Sequence, residues 1–262
     1  MSDFQRLQSG LLIRQDFRKS VRNVFFDTGY PEFPFSTYGG TIFVVYFDKK
    51  CYAITCRHVL KDFEWIQVAI ANKRGGRWLA GVDSVISASS PQADAVDSEI
   101  LDVAILELSN TAGLSFFSDN LYIIDVNTVS RSQFGDALSI YGSLKANSFF
   151  SNDAMRPVYV LIHGVDFPES SHDFTLRCAR ANVTNPEIKD LVGLSGSPVY
   201  NMSRSSLSGM VVRAGIKDCI ATFWYIDIYD IMQLLCAGHR GEADLKYNKG
   251  VIFVSRSVLG CG

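Results

Sequence analysis

The sequence predicts an all-β protein of antiparallel strands, arranged as barrels or as a sandwich. Three observations carry that expectation. Short runs of β-branched and aromatic residues recur along the chain, turn residues separate them, and the middle of the chain lacks the interleaved helices that a parallel α/β sheet needs. Composition agrees with a folded domain: 47% of the 262 residues are hydrophobic and 20% are charged. A chain of this length buries roughly 70–75% of its unfolded surface. That is enough for one large domain or two small ones, without a metal or disulfide staple.

Taken in order, residues 4–20 place Phe4, Leu7, Leu11, Leu12 and Phe17 at loose helical spacing, which predicts a short N-terminal helix. Residues 41–47 (Thr-Ile-Phe-Val-Val-Tyr-Phe) and 51–55 read as two strands of a hairpin around the polar turn Asp48-Lys49-Lys50. Further strands are expected at 65–70, 77–85, 103–108, 137–141, 158–165, 175–180, 197–200, 207–213 and 220–225. The stretch 109–134 is weakly patterned and suits a connection between two halves. Ile228, Ile231, Met232, Leu234 and Leu235 form an i, i+3, i+4 stripe, which predicts a helix near the C-terminus. A last strand-like run at 250–254 finds no partner from sequence.

Charge and cysteine usage narrow the function classes. The formal net charge is −2 and the pI about 6.1. The densest basic stretch, Lys73-Arg74-Gly75-Gly76-Arg77, is too short for a nucleic-acid surface and reads as a solvated hairpin turn. No apolar run reaches the roughly 18 residues of a membrane span, and the N-terminus has no apolar core like that of a secretory signal. The six cysteines form no CxxC pair, which argues against a zinc ribbon. Cys51 and Cys56 share a strand and would sit about 16 Å apart, beyond disulfide reach. Reduced thiols and a cytoplasmic location are therefore expected.

Three local signals point to chemistry. Gly193-Leu194-Ser195-Gly196-Ser197-Pro198 flanks a serine with glycines, so a tight loop can turn the N–H groups of Gly193 and Ser195 toward an oxyanion. His58, in Thr55-Cys56-Arg57-His58, leaves the second hairpin strand at its rim. Asp102 opens the apolar strand Val103-Ala104-Ile105-Leu106, where a carboxylate is costly unless it is partnered. Each signal alone has a bland reading: a Gly/Ser/Pro turn, a surface histidine, a strand-start acid. Together they supply a nucleophile, a base and an orienting acid, in the order His, Asp, Ser.

That order and these contexts resemble the trypsin-like serine peptidases of the double β-barrel fold, over about residues 20 to 235. Gly39-Gly40-Thr41-Ile42-Phe43-Val44-Val45 is similar to the family's opening strand, and Gly135 to Gly142 to the strand opening its second barrel. Gly193 to Pro198 is similar to Gly-x-Ser-Gly-Gly-Pro, and Gly209 to Gly215 to the strand lining the substrate cleft. The resemblance implies two antiparallel β-barrels with a short N-terminal and a C-terminal helix. Residues 1–18 would form an N-terminal segment and 19–118 a first barrel with His58 and Asp102. Residues 119–240 would form a second barrel with Ser195, and 241–262 a tail. It implies peptide hydrolysis through an acyl-enzyme, with His58, Asp102 and Ser195 catalytic and Gly193 and Ser195 forming the oxyanion hole. Arg213, Ala214, Gly215, Lys189 and Asp190 would bind substrate. No cofactor or metal is implied, and the partner is a polypeptide substrate, with a regulatory protein as a further candidate. Neither nucleic acid nor a membrane is expected.

The departures matter as well. Leu194 stands where zymogen-type members carry an Asp, so proteolytic activation is not expected. Cys56 replaces a small alanine and should be buried. Lys189 and Asp190 precede the nucleophile and predict opposite substrate preferences. The rival reading is a catalytically silent or partner-activated protease fold that serves as a binding module. His163 reads as a plain strand histidine, and His172 and His239 as solvated loop residues. Cys178, Cys219 and Cys236 read as structural thiols, and Glu99 as solvent-facing.

Overall fold

The computed structural model describes residues 16–30, 35–36, 40–60, 64–73, 79–89, 100–109, 114–117, 120–124, 129, 131–151, 154–168, 176–185, 188–242, 244–247 and 250–258. The strands are β1 (Val21–Asn23), β2 (Phe25–Asp27), β3 (Phe35–Ser36), β4 (Thr41–Phe47), β5 (Lys50–Cys56), β6 (Val68–Ala71), β7 (Leu79–Ala80), β8 (Val82–Ser89), β9 (Val103–Leu108), β10 (Tyr122–Ile123), β11 (Ala137–Ser151), β12 (Ala154–Phe167), β13 (Leu176–Asn182), β14 (Pro198–Asn201), β15 (Ser206–Lys217), β16 (Ile220–Asp227), β17 (Asp244–Tyr247) and β18 (Gly250–Val258). Three helices accompany them: α1 (Arg57–Leu60), α2 (Leu114–Phe117) and α3 (Ile228–Arg240).

The C-terminal half closes. Strands β11, β12, β13, β16, β15 and β14 pair in a ring, each antiparallel to its neighbours. The closed ring encloses Leu138, Ile140, Leu194, Val199, Val211 and Phe223. Between β13 and β12 lies a buried acid. Asp166 accepts two N–H bonds from Arg177 Nη2 and hydroxyl bonds from Ser132 and Tyr225, each at 2.6 to 2.9 Å. These bonds offset the cost of burying the carboxylate.

The N-terminal half is built differently. Of the two barrels expected, the pairings among the described residues close the C-terminal one. Here eight strands form one sheet, in the order β1-β4-β5-β9-β8-β18-β17 with β10 beside β4, and β3-β2-β6-β7 form a second. The chain passes from β1 into β2 through Val24 and from β7 into β8 through Gly81, so it changes sheet without completing one ladder. Buried Arg22 ties the seam: its guanidinium donates to the carbonyls of Lys19, Val21, Ala71, Asn72 and Asn120. It thereby joins β1 to the end of β6 and to the connection between the halves.

Several expected elements match to within a residue or two, notably β4 and β9. Others differ. The N-terminal helix falls on residues outside the described set except for a 3-10 turn, Phe17–Ser20, capped by Asp16. The strand expected at 65–70 begins only at Val68. Before it, a 3-10 turn forms at Trp65–Gln67, whose Gln67 amide oxygen accepts the Glu64 N–H at 3.0 Å. The basic turn at 74–77 and residues His172, Glu99 and Cys261 also lie outside the described residues. The tail run finds its partner: β18 pairs antiparallel with β8 and carries β17 with it.

Helix α3 joins the halves. Asp227 caps its first turn through the Tyr229 N–H, and Gly241 closes it with a left-handed φ of 72°. Gly238 lies so close to Ile86 of β8 that a Cβ there would meet Ile86 Cγ2 at 2.3 Å. His239 is not a solvated loop residue. It sits in the last helical turn, bonded to Tyr52 Oη through Nδ1 (2.8 Å) and to Asp48 through Nε2 (2.8 Å). The five described cysteines, Cys51, Cys56, Cys178, Cys219 and Cys236, are free. No helix among the described residues is long and apolar enough to cross a membrane.

Candidate active site

His58 and Asp102 are set by one cross-strand pair. Cys56 ends β5 opposite Val103, which opens β9. The residues just beyond, α1 on one side and the 3-10 turn Ile100–Asp102 on the other, therefore meet at the same rim. Asp102 grips His58 twice. Its Oδ1 accepts the His58 backbone N–H at 2.9 Å and its Oδ2 meets Nδ1 at 2.6 Å. This places Nδ1–H on the acid and leaves Nε2 as the acceptor face. The His58 side chain is half exposed and that of Asp102 mostly covered. Gly40 makes room for the turn: a Cβ there would meet Val59 Cγ1 at 2.2 Å.

Cys56 lies beneath this pair and is fully buried. Its Sγ, the His58 ring and the Asp102 carboxylate bring their donor atoms within 4.8 Å of one another. Burial first, and the Asp102 charge second, push the Cys56 thiol well above its ordinary value. It stays protonated and donates to Val211 O at 3.3 Å, as expected for a small buried residue rather than a thiolate ligand.

The serine is set by backbone. Gly193 (φ 105°) and Gly196 (φ 86°) adopt conformations that L side chains rarely enter, and a Cβ on Gly196 would lie 1.9 Å from Thr41 O. The Gly196 N–H donates to Val211 O and the Thr41 N–H to Ser195 O. The Val192 carbonyl accepts from the Lys145 N–H at 2.8 Å. In a planar trans peptide the next N–H points the opposite way, so the Gly193 N–H is turned from Lys145. Among the described residues no acceptor takes the N–H of Gly193 or of Ser195.

Thr41, the first residue of β4, couples the two sides. Its hydroxyl donates to Gly193 O (2.8 Å) and accepts from the Ser143 N–H (3.0 Å), while its carbonyl accepts from the Thr55 hydroxyl (2.7 Å). From sequence Thr41 is only the start of a strand. The one hint of more is that a polar residue opens an otherwise apolar run.

A cleft of about 770 Å³ brings His58, Ser195, Gly193 and all five expected substrate-binding residues (Lys189, Asp190, Arg213, Ala214 and Gly215) together. Lys145, Val192 and Ile216 line it too and were not singled out from sequence. Asp102 stands behind His58 rather than on the cleft wall. His163 lies elsewhere, on β12, bonded to Ser139 Oγ at 2.8 Å. The serine hydroxyl itself donates to Val212 O at 3.1 Å and not to His58. Val212 can offer that carbonyl because β15 carries an irregularity against β16 between Val211 and Arg213.

With this geometry in place, the likeness to solved structures becomes interpretable. The chain is similar to a thermostable serine protease from an extremophilic microorganism. The match is at 15% identity with a TM-score of 0.52, over 83% of this chain and 95% of that one. The chain has a serine-protease fold. No family model matches the sequence, and no curated protein matches it. The protease fold accounts for the mostly β architecture, for the closed barrel and for the mutual approach of β5, β9 and the Gly193–Gly196 loop.

Proposed function

We propose that the chain is a serine endopeptidase that hydrolyses peptide bonds through an acyl-enzyme. The observation that carries this reading is the two-point grip of Asp102 on His58 at the mouth of a cleft shared with Ser195 and two unused backbone N–H groups. Ser195 Oγ attacks the peptide carbonyl and His58 Nε2 takes its proton. Asp102 fixes the tautomer and stabilises the imidazolium. The N–H groups of Gly193 and Ser195 stabilise the oxyanion. His58 then protonates the leaving amine, and water, deprotonated by the same imidazole, releases the acid. Residues 212–217 of β15 extend past the four-residue β14 and offer a strand edge on which an extended peptide can lie. In this reading the two sheets built from residues 19–118, with β10, β17 and β18 added to one of them, serve as the first barrel of the pair. The free thiols support a reducing, cytoplasmic setting.

One observation favours a second reading, a silent or partner-activated module: the Ser195 hydroxyl points to Val212 O. A serine hydroxyl can move between staggered χ1 wells, so its direction here does not by itself remove the enzyme. A fluorophosphonate probe separates the readings. Labelling of the wild type but not of Ser195→Ala is expected of the endopeptidase. Labelling that appears only with an added partner selects the regulated form, and no labelling under any condition removes the enzyme.

A further inference from the structure

We infer that the cleft selects acidic peptides, with a carboxylate side chain on the residue whose carbonyl is attacked, an inference that rests on the endopeptidase reading. Apart from Asp102 behind His58, the charged residues that line the cleft are mostly basic. Lys145, Lys189 and Arg213 line the cleft, against a single lining carboxylate, Asp190. That carboxylate is engaged: its Oδ1 accepts the Val192 N–H at 3.1 Å, inside its own loop. Asp190 keeps its charge but turns one oxygen into the loop, whereas no bond holds the Lys189 ammonium among the described residues.

The three exposed cations belong to segments that border the Ser195 loop. The Lys145 N–H holds the Val192 carbonyl beside the oxyanion loop. Lys189 opens the segment that leads to Ser195, and Arg213 follows the carbonyl that holds the Ser195 hydroxyl. Neither Lys145 nor Lys189 has an ion-pair partner among the described residues. A bound peptide displaces water from such a cleft and strengthens each pairing. The same arrangement rejects a lysine or arginine by like-charge contact, so selectivity comes from repulsion as well as attraction. Apolar Val192 and Ile216 on the walls suit the methylene stem of glutamate.

The test is binding first, because binding does not need turnover. Ser195→Ala is titrated with fluorescein-labelled heptapeptides that differ only in a central Glu, Gln or Lys, followed by anisotropy. The Glu peptide should bind about tenfold tighter than the Gln peptide and the Lys peptide weakest, with the spread shrinking as salt is raised. Lys189→Glu in the same background, with its fold checked by circular dichroism, should reverse the order. No preference for Glu, or an unchanged order in Lys189→Glu, overturns the inference. Wild-type cleavage of the same peptides keeps the two claims apart. Fluorophosphonate labelling with cleavage after Lys sinks acid selection and spares the peptidase. Tight Glu-peptide binding without any labelling sinks the peptidase and spares acid selection.

Discussion

The two halves of the molecule bring their parts of the site by opposite means. The N-terminal half is two bent sheets, and it presents His58 on a four-residue helical turn at a rim, steadied by one side chain, Asp102. The C-terminal half is a closed ring, and it presents Ser195 in a loop fixed by left-handed glycines and backbone hydrogen bonds. The proposed base, His58, is therefore as well placed as one carboxylate makes it. The backbone of Ser195, the proposed nucleophile, is set by the glycine loop. Side-chain chemistry should break the first half's contribution, and backbone chemistry the second's.

The largest effect expected is on the base. Asp102→Asn keeps the shape but offers an amide that stabilises the wrong imidazole tautomer. Turnover of a peptide or ester substrate should fall by about 10⁴, while the thermal midpoint moves little. A rate within tenfold of wild type would mean that His58 is held by something other than Asp102.

The matching break in the other half is Gly196→Ala. The added methyl would meet Thr41 O at 1.9 Å and would force a side chain into a φ of 86°. Overpacking and backbone strain together should cost about 3 kcal/mol of stability, read by urea unfolding, and abolish labelling of Ser195. Unchanged stability would show that the loop is softer than its hydrogen bonds imply.

What the sequence reveals divides along the same line. Strands β4 and β9 are legible because runs of β-branched, aromatic and aliphatic residues, mostly buried, suit the interior of a sheet. The candidate residues His58, Asp102 and Ser195 stand out in the sequence because the proposed nucleophile, base and acid need particular side chains with particular neighbours. The closure of the halves is not. Strands β1 and β2 have three residues each, too few for a period, and a bend at Val24 carries no signal of its own. The tail strand pairs with β8 across most of the chain, Arg256 reaching Ser84 at a separation of 172 residues. Nothing local in residues 250–258 encodes that partner. The Asp190 bond to the Val192 N–H is a loop detail that the sequence does not encode either. The direction of the Ser195 hydroxyl is a rotamer, which composition does not specify.

A smaller effect is expected where the halves touch. Thr41→Val removes a hydroxyl that bridges Gly193 O and Ser143 N–H, and leaves both groups buried without that partner. The cost should be about 2 kcal/mol, and labelling of Ser195 should slow because the loop loses its tie to β4. Thr41→Ser keeps the hydroxyl and should restore most of both. If Val and Ser variants behave alike, the contact is packing rather than hydrogen bonding.

The smallest effect separates the halves by pH. Asp136, at the turn into β11, sits close to Asn201, the Gln133 N–H and Arg204. Burial on its own raises the carboxyl, but these three partners outweigh it and hold it below the usual carboxylate range. The folded chain therefore keeps this group ionised at pH values where the unfolded chain, with an ordinary aspartate near 3.9, has begun to take up a proton. Its contribution to stability is fully present above that ordinary value and is lost as pH falls through the lower, folded one. Asp136→Asn removes the titration and should flatten the acid limb of the stability curve below about pH 4. The loss belongs to the barrel, so amide exchange followed during mild acidification should rise in β11 and β14 more steeply in the wild type than in Asp136→Asn. An acid limb with the same slope in both proteins would place the titrating groups elsewhere, and the barrel would lose its claim to be the acid-sensitive half.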